Sequence, residues 1–198
     1  MMDVSKRSQQ KIDSILINSK HLFNEYGFNK VTMDNIAQVA NVSKGTLYKY
    51  FPDKQYLYEY LVKQIYDTER AMFRGIIEEE GEFLTKIRSI IEERVKKYTE
   101  THKKFFQDFF NRSKDLDQYM HEYIEEIANL RKKLYAEGKS QGFISEKLSE
   151  DSLELYFEII QIGLSNKYHD LSEMPKDQLT SVLNLIYSGM VSNCIETK

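Results

Sequence analysis

The sequence predicts an all-α protein of about nine helices, and three observations lead to that fold class. Its 198 residues include only two prolines and eight glycines, the residues that most often interrupt helices. Apolar residues make up 41% of the chain and recur at helical spacing rather than in strict alternation. Several segments also begin at Ser, Thr or Asp residues, whose side chains can cap a helix.

The charges of the chain are unevenly distributed. Residues 1–55 carry eight Lys and Arg against five Asp and Glu, whereas the remaining residues carry 20 against 26. A basic N-terminal part followed by an acidic remainder is typical of a DNA-binding domain joined to a domain with another task. The asymmetry is small, and chance alone also produces differences of this size.

The composition excludes several other classes. Cys194 is the only cysteine, so neither an intramolecular disulfide nor a cysteine-based zinc site is predicted. The four histidines lack ligand spacing, and no metal or cofactor is expected. No stretch approaches the ~20 apolar residues of a membrane-spanning helix, and the N-terminus lacks the apolar stretch of a signal peptide. We therefore expect no membrane partner and a cytoplasmic location.

Residues 31–51 predict two short helices joined by a tight turn. Thr32 is a suitable N-cap for the first helix, in which Ile36, Val39 and Ala40 are expected to form the inward face. Asn41 suits the turn because Asn tolerates left-handed backbone. Two short helices connected in this way constitute a helix-turn-helix.

The second helix of this motif is the candidate for entering the DNA major groove. Ser43 is its predicted N-cap, and Leu47, Tyr50 and Phe51 are expected on its inner face. Pro52 disfavours helical backbone at the preceding residue and ends the segment. The outward-facing residues are basic, small or aromatic: Lys44, Gly45, Tyr48 and Lys49.

This stretch resembles a known family. The run T-M-D-N-I-A-Q-V-A-N-V, followed by S-K-G-T-L-Y-K-Y-F-P-D-K-Q-Y-L, resembles the DNA-binding domain of TetR-family transcriptional regulators over about 45 residues. The resemblance implies a three-helix DNA-binding domain at residues 1–52 and a helical effector-binding and dimerisation domain at residues 53–198. Beyond about residue 75 no motif matches, as expected for a variable ligand-binding part.

Nine residues are expected to contact DNA. They are Thr32, Ser43, Lys44, Gly45, Thr46, Tyr48, Lys49, Tyr50 and Lys54. Thr32 and Ser43 begin helices, whose free N–H groups favour an anion. Lys44 can donate to guanine or phosphate, and Gly45 lets the helix approach base edges closely. Lys49 is a candidate for the DNA backbone, and the resemblance implies contacts for the remaining four.

The rest of the chain predicts seven further helices. The first, residues 10–26, should end at Gly27 in left-handed backbone. Another begins near Asp53 and runs into the seventies, with Gly75 marking a kink or a break. The others are expected at residues 83–101, 102–111, 116–139, 151–166 and 176–193, with a loop at residues 166–175.

The resemblance also implies an effector pocket and a dimer interface in the second domain. The expected pocket lining is aromatic: Tyr98, His102, Phe105, Phe106, Phe109, Tyr119, Tyr123 and Tyr156. Such a lining suits a small hydrophobic ligand. Arg94, His102 and His121 are candidates for polar anchors. The last two long helices are expected to dimerise through Phe157, Ile160, Gly163, Leu164, Leu183, Ile186, Tyr187 and Met190.

Each of these expectations has a structural alternative. Thr32 could act only as a cap, and Tyr50 could simply complete the inner face of its helix. An aromatic stripe at helical spacing is more often ordinary core than pocket lining. The polar anchors could be solvated or satisfied residues, and the apolar faces of the last helices could be buried within one chain.

The predicted function is a ligand-responsive, sequence-specific repressor. As a homodimer it would bind a palindromic operator in double-stranded DNA and be released by a small hydrophobic effector. The alternative is an architectural or division-linked DNA-binding protein of the same fold that has no inducer. An enzyme is not expected, because the sequence contains no phosphate-binding glycine loop, G-x-S-x-G elbow or H-E-x-x-H motif.

Overall fold

The computed structural model describes residues 6–100, 104–107, 113–189 and 191. Within them the chain forms ten helical segments and no strand, which confirms the all-α class. The segments are α1 (Lys6–Tyr26), α2 (Met33–Val39), α3 (Lys44–Tyr50), α4 (Lys54–Glu78), α5 (Phe83–Glu100), α6 (Lys104–Gln107), α7 (Lys114–Ser140), α8 (Glu150–Asn166), α9 (Tyr168–Ser172) and α10 (Lys176–Ser188). The short α9 lies where we expected a loop. Its buried Leu171 is one apolar residue among polar ones, too little periodicity to indicate a helix.

Helix ends follow local signals. Gly27 has a φ of 80° and ends α1 as predicted. The Asp53 carboxylate accepts a hydrogen bond from the Tyr56 N–H at 2.7 Å and so caps α4. That helix then continues through Gly75 to Glu78 without the predicted break. A single glycine costs a helix only about 1 kcal/mol, which the rest of a 25-residue helix can absorb.

The chain packs into two compact units. Unit 1 consists of Met1–Asp67 and His102–Tyr119, and unit 2 consists of Thr68–Thr101 and Met120–Lys198. Both α4 and α7 contribute residues to each unit. The division predicted between residues 52 and 53 separates a DNA-binding function from effector binding and dimerisation rather than two packing units. It stays a prediction.

Aromatic side chains form the core of unit 1. Here α1 packs on α2 and α6, and α2 packs on α3. Phe23 is fully buried and meets Tyr58 edge-on, with 5.4 Å between the ring centroids. Phe105 is also fully buried, and its carbonyl accepts a hydrogen bond from the Tyr58 hydroxyl. Phe105, which we predicted in an effector pocket, is thus a core side chain of unit 1.

A buried carboxylate joins α4 to the start of α7 within unit 1. Glu59 accepts hydrogen bonds from the N–H of Ser113 at 2.9 Å and from its hydroxyl at 2.6 Å, and a third from Gln55. Burial opposes ionisation of Glu59, but these hydrogen bonds outweigh it and hold its pKa below the ordinary value. The Ser113 hydroxyl accepts in turn from the Leu116 N–H, so α7 begins at Lys114, slightly before the predicted start.

In unit 2, α5 packs against α10 and α9, and α9 packs against α8. The buried Lys86 pairs with Glu137, with 2.6 Å between nitrogen and oxygen. A Cβ atom at Gly138 would lie 2.8 Å from side-chain atoms of both Phe83 and Ile144. Gly138 therefore lets the Phe83 and Ile144 side chains pack closely against α7, which a larger residue would not allow without repacking.

The outer surface of α8 is apolar and uncovered in the single chain. Leu155, Ile159 and Ile162 are 57%, 61% and 60% exposed, and their spacing places them on one helical face. We call these three residues the exposed α8 face. On α10, Leu185 is 74% exposed. Monomeric proteins seldom leave such apolar residues clustered on one face without a partner.

The predicted dimer residues coincide with this surface only in part. Leu164, Leu183 and Tyr187 are buried within the single chain, in line with the alternative stated above for these faces, and their place in a dimer interface stays a prediction. The helical period identifies an apolar face but does not tell whether the face turns inward or outward. Gly163 is exposed, and Met190 lies outside the described residues. The half-buried members are Phe157, Ile160 and Ile186.

Candidate nucleic-acid interface

The first helix of the predicted motif begins with a reciprocal cap. The Thr32 hydroxyl accepts a hydrogen bond from the Asn35 N–H at 3.1 Å, and the Asn35 side chain accepts from the Thr32 N–H at 3.2 Å. This is a capping box in which Asn replaces the usual Glu or Gln. The capping role predicted for Thr32 is confirmed, and its side chain is exposed.

The turn between α2 and α3 depends on one left-handed residue. Asn41 has a φ of 53°, as predicted. The Val42 N–H donates to the carbonyl of Ala37 at 3.0 Å, which closes the end of α2 in the manner of a Schellman motif. Met33, Ile36, Ala37 and Ala40 form the buried face of this helix and its C-cap. Val39 is 47% exposed, so its predicted inward position is wrong. The buried side chains of α2 form a stripe that begins at Met33, and Val39 lies outside the edge of this stripe.

The second helix presents most of its surface to solvent. Ser43 caps it by accepting from the Thr46 N–H at 3.1 Å, as predicted. Leu47 is the one fully enclosed residue in α3, and Phe51 beyond its end is also buried. Tyr50 is half-buried. The exposed residues are Lys44, Gly45, Tyr48 and Lys49, the outward set predicted from the sequence.

An ion pair connects the two helices at this surface. The Lys44 ammonium lies 2.7 Å from a carboxylate oxygen of Asp34, and both side chains are more than half exposed. The hydrogen bond and charge of Asp34 raise the pKa of Lys44 above its ordinary value. The Lys44 ammonium, exposed on α3, is thus already paired. Binding to guanine or phosphate would require it to leave or share Asp34.

The structure of the single chain does not require a glycine at position 45. A Cβ atom at this position would have no heavy atom within 4 Å outside the neighbouring backbone. Its φ is not positive either, since Gly27 and Gly142 are the glycines with positive φ in the described chain. Glycine is an unfavourable residue within a helix. The packing of the single chain therefore gives no reason for glycine here.

Lys54 is directed towards the protein. Its ammonium group donates to the carbonyl of Phe28 at 2.8 Å and to that of Val31 at 2.9 Å. It also lies 4.2 Å from the centroid of the Phe28 ring. These contacts connect the loop before α2 to the first turn of α4. A phosphate contact by Lys54 stays a prediction, but this geometry already gives the lysine a structural role.

Two polar residues of this surface were missed from the sequence. Asn35 completes the capping box, and Asp34 pairs with Lys44. The pattern of Thr followed three residues later by Asn is a variant of the capping-box signature and could have been recognised. No sequence rule predicts a pair ten residues apart across a turn, because its distance depends on how the two helices pack.

The residues predicted for the effector pocket are distributed over both units. Phe106 and Tyr119 belong to unit 1 with Phe105, whereas Tyr98, Tyr123 and Tyr156 belong to unit 2. His102 and Phe109 lie outside the described residues. Unit 2 has a groove of about 640 Å³ between α5 and α10 and a smaller one of about 300 Å³ between α4 and α7. None of the predicted pocket residues lines either groove, and the pocket stays a prediction.

Within the residues that the structure describes, no helix combines the length and apolar character needed to span a membrane. In the same ranges no group of three or more His, Cys, Asp or Glu side chains is placed to hold a metal ion.

The described helices form an all-α fold in which α2, a tight turn and the exposed α3 make a helix-turn-helix. Residues 15–61 match the family model described as bacterial regulatory proteins, tetR family. Over 189 residues the chain is 28% identical to IcaR of Staphylococcus aureus strain Newman, a biofilm operon icaADBC HTH-type negative transcriptional regulator. That alignment covers 87% of this chain and 97% of the relative. The resemblance to the TetR family of transcriptional regulators, predicted from the sequence, is confirmed for residues 15–61, and the relative IcaR is similar over most of the chain.

Two further comparisons extend this result. Over 86 residues the chain is 30% identical to the nucleoid occlusion factor SlmA of Haemophilus ducreyi, covering 43% of this chain and 42% of the relative. The structure of the transcriptional regulator FadR from Bacillus subtilis in complex with stearoyl-CoA is similar, with a TM-score of 0.70 at 20% identity. That similarity covers 91% of this chain and 98% of FadR, and it concerns the fold.

Proposed function

We propose that this protein is a ligand-responsive repressor that binds a palindromic operator as a dimer and leaves it when a small hydrophobic effector binds. The observation that carries the proposal is the surface of α3, which encloses only Leu47 and exposes Lys44, Gly45, Tyr48 and Lys49. A helix with basic, aromatic and glycine positions on its outer face suits base edges and phosphates in a major groove.

The contacts within this interface divide by role. Lys44 and Tyr48 are exposed on α3 and are assigned to base edges, with Gly45 between them allowing close approach. Lys49 is assigned to the phosphate backbone. Thr32, Ser43, Thr46, Tyr50 and Lys54 already hold local structure, so we assign them to positioning the interface and to any phosphate contact their remaining donors allow.

Dimerisation is supported by the exposed α8 face. One seven-residue helix reaches few base pairs, and a two-fold dimer that reads two half-sites multiplies both affinity and specificity. The same surface patch on two chains can cover itself around a two-fold axis. Repression, rather than activation, is supported by IcaR, whose name describes a negative regulator.

An effector is supported by the fold neighbour FadR, which was solved with stearoyl-CoA. In this proposal residues 1–52 bind DNA, and residues 53–198 bind the effector and dimerise. Helix α4 would transmit effector binding to the DNA-binding part. The effector can release DNA only if it binds the released state more tightly than the DNA-bound state. Acting on chromosomal DNA, the protein would work in the cytoplasm.

Selection of genomic DNA fragments by the purified protein tests this function. We expect enrichment of one palindrome, binding that weakens steeply with salt, and release of the DNA by at least one member of a panel of hydrophobic compounds. Failure of a folded dimer to enrich any sequence would overturn the proposal. A matched selection with Lys44→Ala checks that α3 provides the sequence preference.

An architectural or division-linked function is the second candidate. It is favoured by the similarity to the nucleoid occlusion factor SlmA, which covers less than half of either chain. This candidate predicts many chromosomal sites and no compound that alters DNA affinity. The same selection experiment therefore separates the two functions.

A further inference from the structure

Each helix of the helix-turn-helix supplies one charged side chain to the same point of the surface. Asp34 lies in the first turn of α2, and Lys44 is the first residue of α3. The Nζ atom of Lys44 donates a hydrogen bond to one carboxylate oxygen of Asp34 at 2.7 Å, and both side chains are more than half exposed. At the N-terminal end of α3 the protein therefore presents a donor and an acceptor side by side.

Neither stability nor phosphate binding explains this pair. An ion pair between two exposed side chains contributes little to the stability of a fold. The positive end of the α2 dipole favours an acidic residue in the first turn, but it gives no reason for a lysine from the other helix beside that residue. A carboxylate also repels the phosphates of any DNA placed against α3. Asp34 is therefore unfavourable on a DNA-binding surface unless it contacts a base.

The pair matches the major-groove edge of a G·C base pair. That edge presents the N7 and O6 acceptors of guanine, followed by the N4 amino donor of cytosine. Lys44 has three N–H donors, of which one is directed at Asp34, and the Asp34 carboxylate has a second oxygen that can accept. Guanine O6 and cytosine N4 share a Watson–Crick hydrogen bond and lie about 3 Å apart, close to the 2.7 Å between Lys44 and Asp34.

An A·T pair matches less well. It places its amino donor between two acceptors, so an ammonium group beside a carboxylate would meet one acceptor where guanine offers two adjacent ones. The N-terminal residues of a recognition helix are also the ones that contact base edges in helix-turn-helix proteins. The position of Lys44 at the start of α3 and of Asp34 beside it suits this kind of contact.

We propose that Asp34 and Lys44 together recognise one G·C pair in each half-site of the operator. Lys44 donates to O6 and N7 of the guanine, and Asp34 accepts from the N4 amino group of the paired cytosine. Asp34 is thereby a residue that determines specificity, in addition to the nine DNA contacts predicted from the sequence. This inference rests on the proposed function, because it names a base pair that the proposed interface recognises.

Modified bases in the selected operator provide the test. N4-methylcytosine carries a methyl group in place of the groove-facing N–H, and 7-deazaguanine lacks N7. At one G·C pair per half-site, N4-methylcytosine should weaken the unaltered protein about tenfold or more and Asp34→Ala far less. In the same way, 7-deazaguanine should weaken the unaltered protein but not Lys44→Ala. Glu25→Ala, which removes an exposed acidic residue of α1, is the matched control and should retain both losses.

Two outcomes would overturn the inference: no G·C position that depends on Lys44, or an equal loss with N4-methylcytosine for the unaltered protein and Asp34→Ala. The modified operators act on the unaltered protein, so misfolding of a variant cannot imitate the expected losses. The selection itself separates this inference from the proposed function. A palindrome without such a G·C pair retains the regulator and removes only the role of Asp34, whereas a folded dimer that selects no palindrome removes both.

Discussion

At position 45 the chain has a glycine inside a seven-residue helix, in a place where the fold has open space. At Gly75 in α4 a Cβ atom would likewise meet open space. Both residues weaken their helices, and neither is required by packing or by backbone conformation. In the proposed function, a reason for glycine exists only at position 45, where base edges would approach the helix.

Gly45→Ala is therefore predicted to separate folding from DNA binding. The free energy of unfolding should rise by up to about 1 kcal/mol because alanine is the better helix residue. Operator affinity should fall by about tenfold or more, because the new methyl group meets the base edges. Urea unfolding and a DNA-binding titration measure the two quantities. Gly75→Ala is the control, expected to stabilise the protein equally and leave operator affinity unchanged. Equal operator affinity for both variants would contradict the close approach.

The ion pair between Asp34 and Lys44 leads to a second prediction about single residues. Removing the carboxylate with Asp34→Asn frees the Lys44 ammonium, which on DNA without the operator's base edges can pair with a phosphate. Affinity for unrelated DNA should rise, and the slope of log affinity against log salt should steepen by about 1. Titrations of operator and unrelated DNA at several salt concentrations give both values. Glu25→Gln, which removes an exposed acidic residue of α1, is the control for net charge. An identical change in that variant would show that Asp34 acts only through overall charge.

At the scale of helices, the sequence predicts the side-chain caps correctly and the packing only in part. The caps at Thr32, Ser43 and Asp53 depend on residues at most three positions apart, and all three form as predicted. The burial of Leu183 depends on which element faces it, and no local pattern contains that information. The same holds for the hydrogen bond from Arg94 to the buried Tyr187, 93 residues further along the chain.

Glu59 connects α4 to the start of α7 through its hydrogen bonds with Ser113, and the stability that this connection provides should depend on pH. Its pKa is lowered in the folded protein, so its contribution to stability is present above the unfolded pKa of about 4.3 and is lost as the pH falls through the lower folded value. Glu59→Gln should reduce the free energy of unfolding at pH 7 by about 1–3 kcal/mol, because hydrogen bonds to a charged carboxylate are lost. The deficit should shrink as the pH falls below about 5.

Urea unfolding at one protein concentration and several pH values checks this prediction. The exposed Glu79→Gln, directly after the end of α4, is the control, and it should change stability little at any pH. A deficit for Glu59→Gln that stays constant from neutral to acidic pH would mean that the shape of the side chain, rather than its charge, matters.

At the scale of the whole molecule, the prediction concerns association. Ile159→Glu places a charge in the exposed α8 face and should convert the proposed dimer to a monomer, since an unpaired charge is unfavourable in an apolar interface. Ile124→Glu is the matched control, because that isoleucine is 57% exposed on α7. Analytical ultracentrifugation gives the oligomeric state. We expect the control to remain dimeric and only Ile159→Glu to lose operator binding. Monomers for both variants, or dimers for both, would remove the exposed α8 face from the proposed interface.

The exposed α8 face also has a consequence for gene dosage. If two chains must meet on this surface before the operator is bound, the DNA-binding species follows mass action. Below the dissociation constant of the dimer, its amount rises with the square of the chain concentration. Halving the chain concentration would then leave about a quarter of the DNA-binding dimer, and the regulated genes would respond sharply to a modest change in expression.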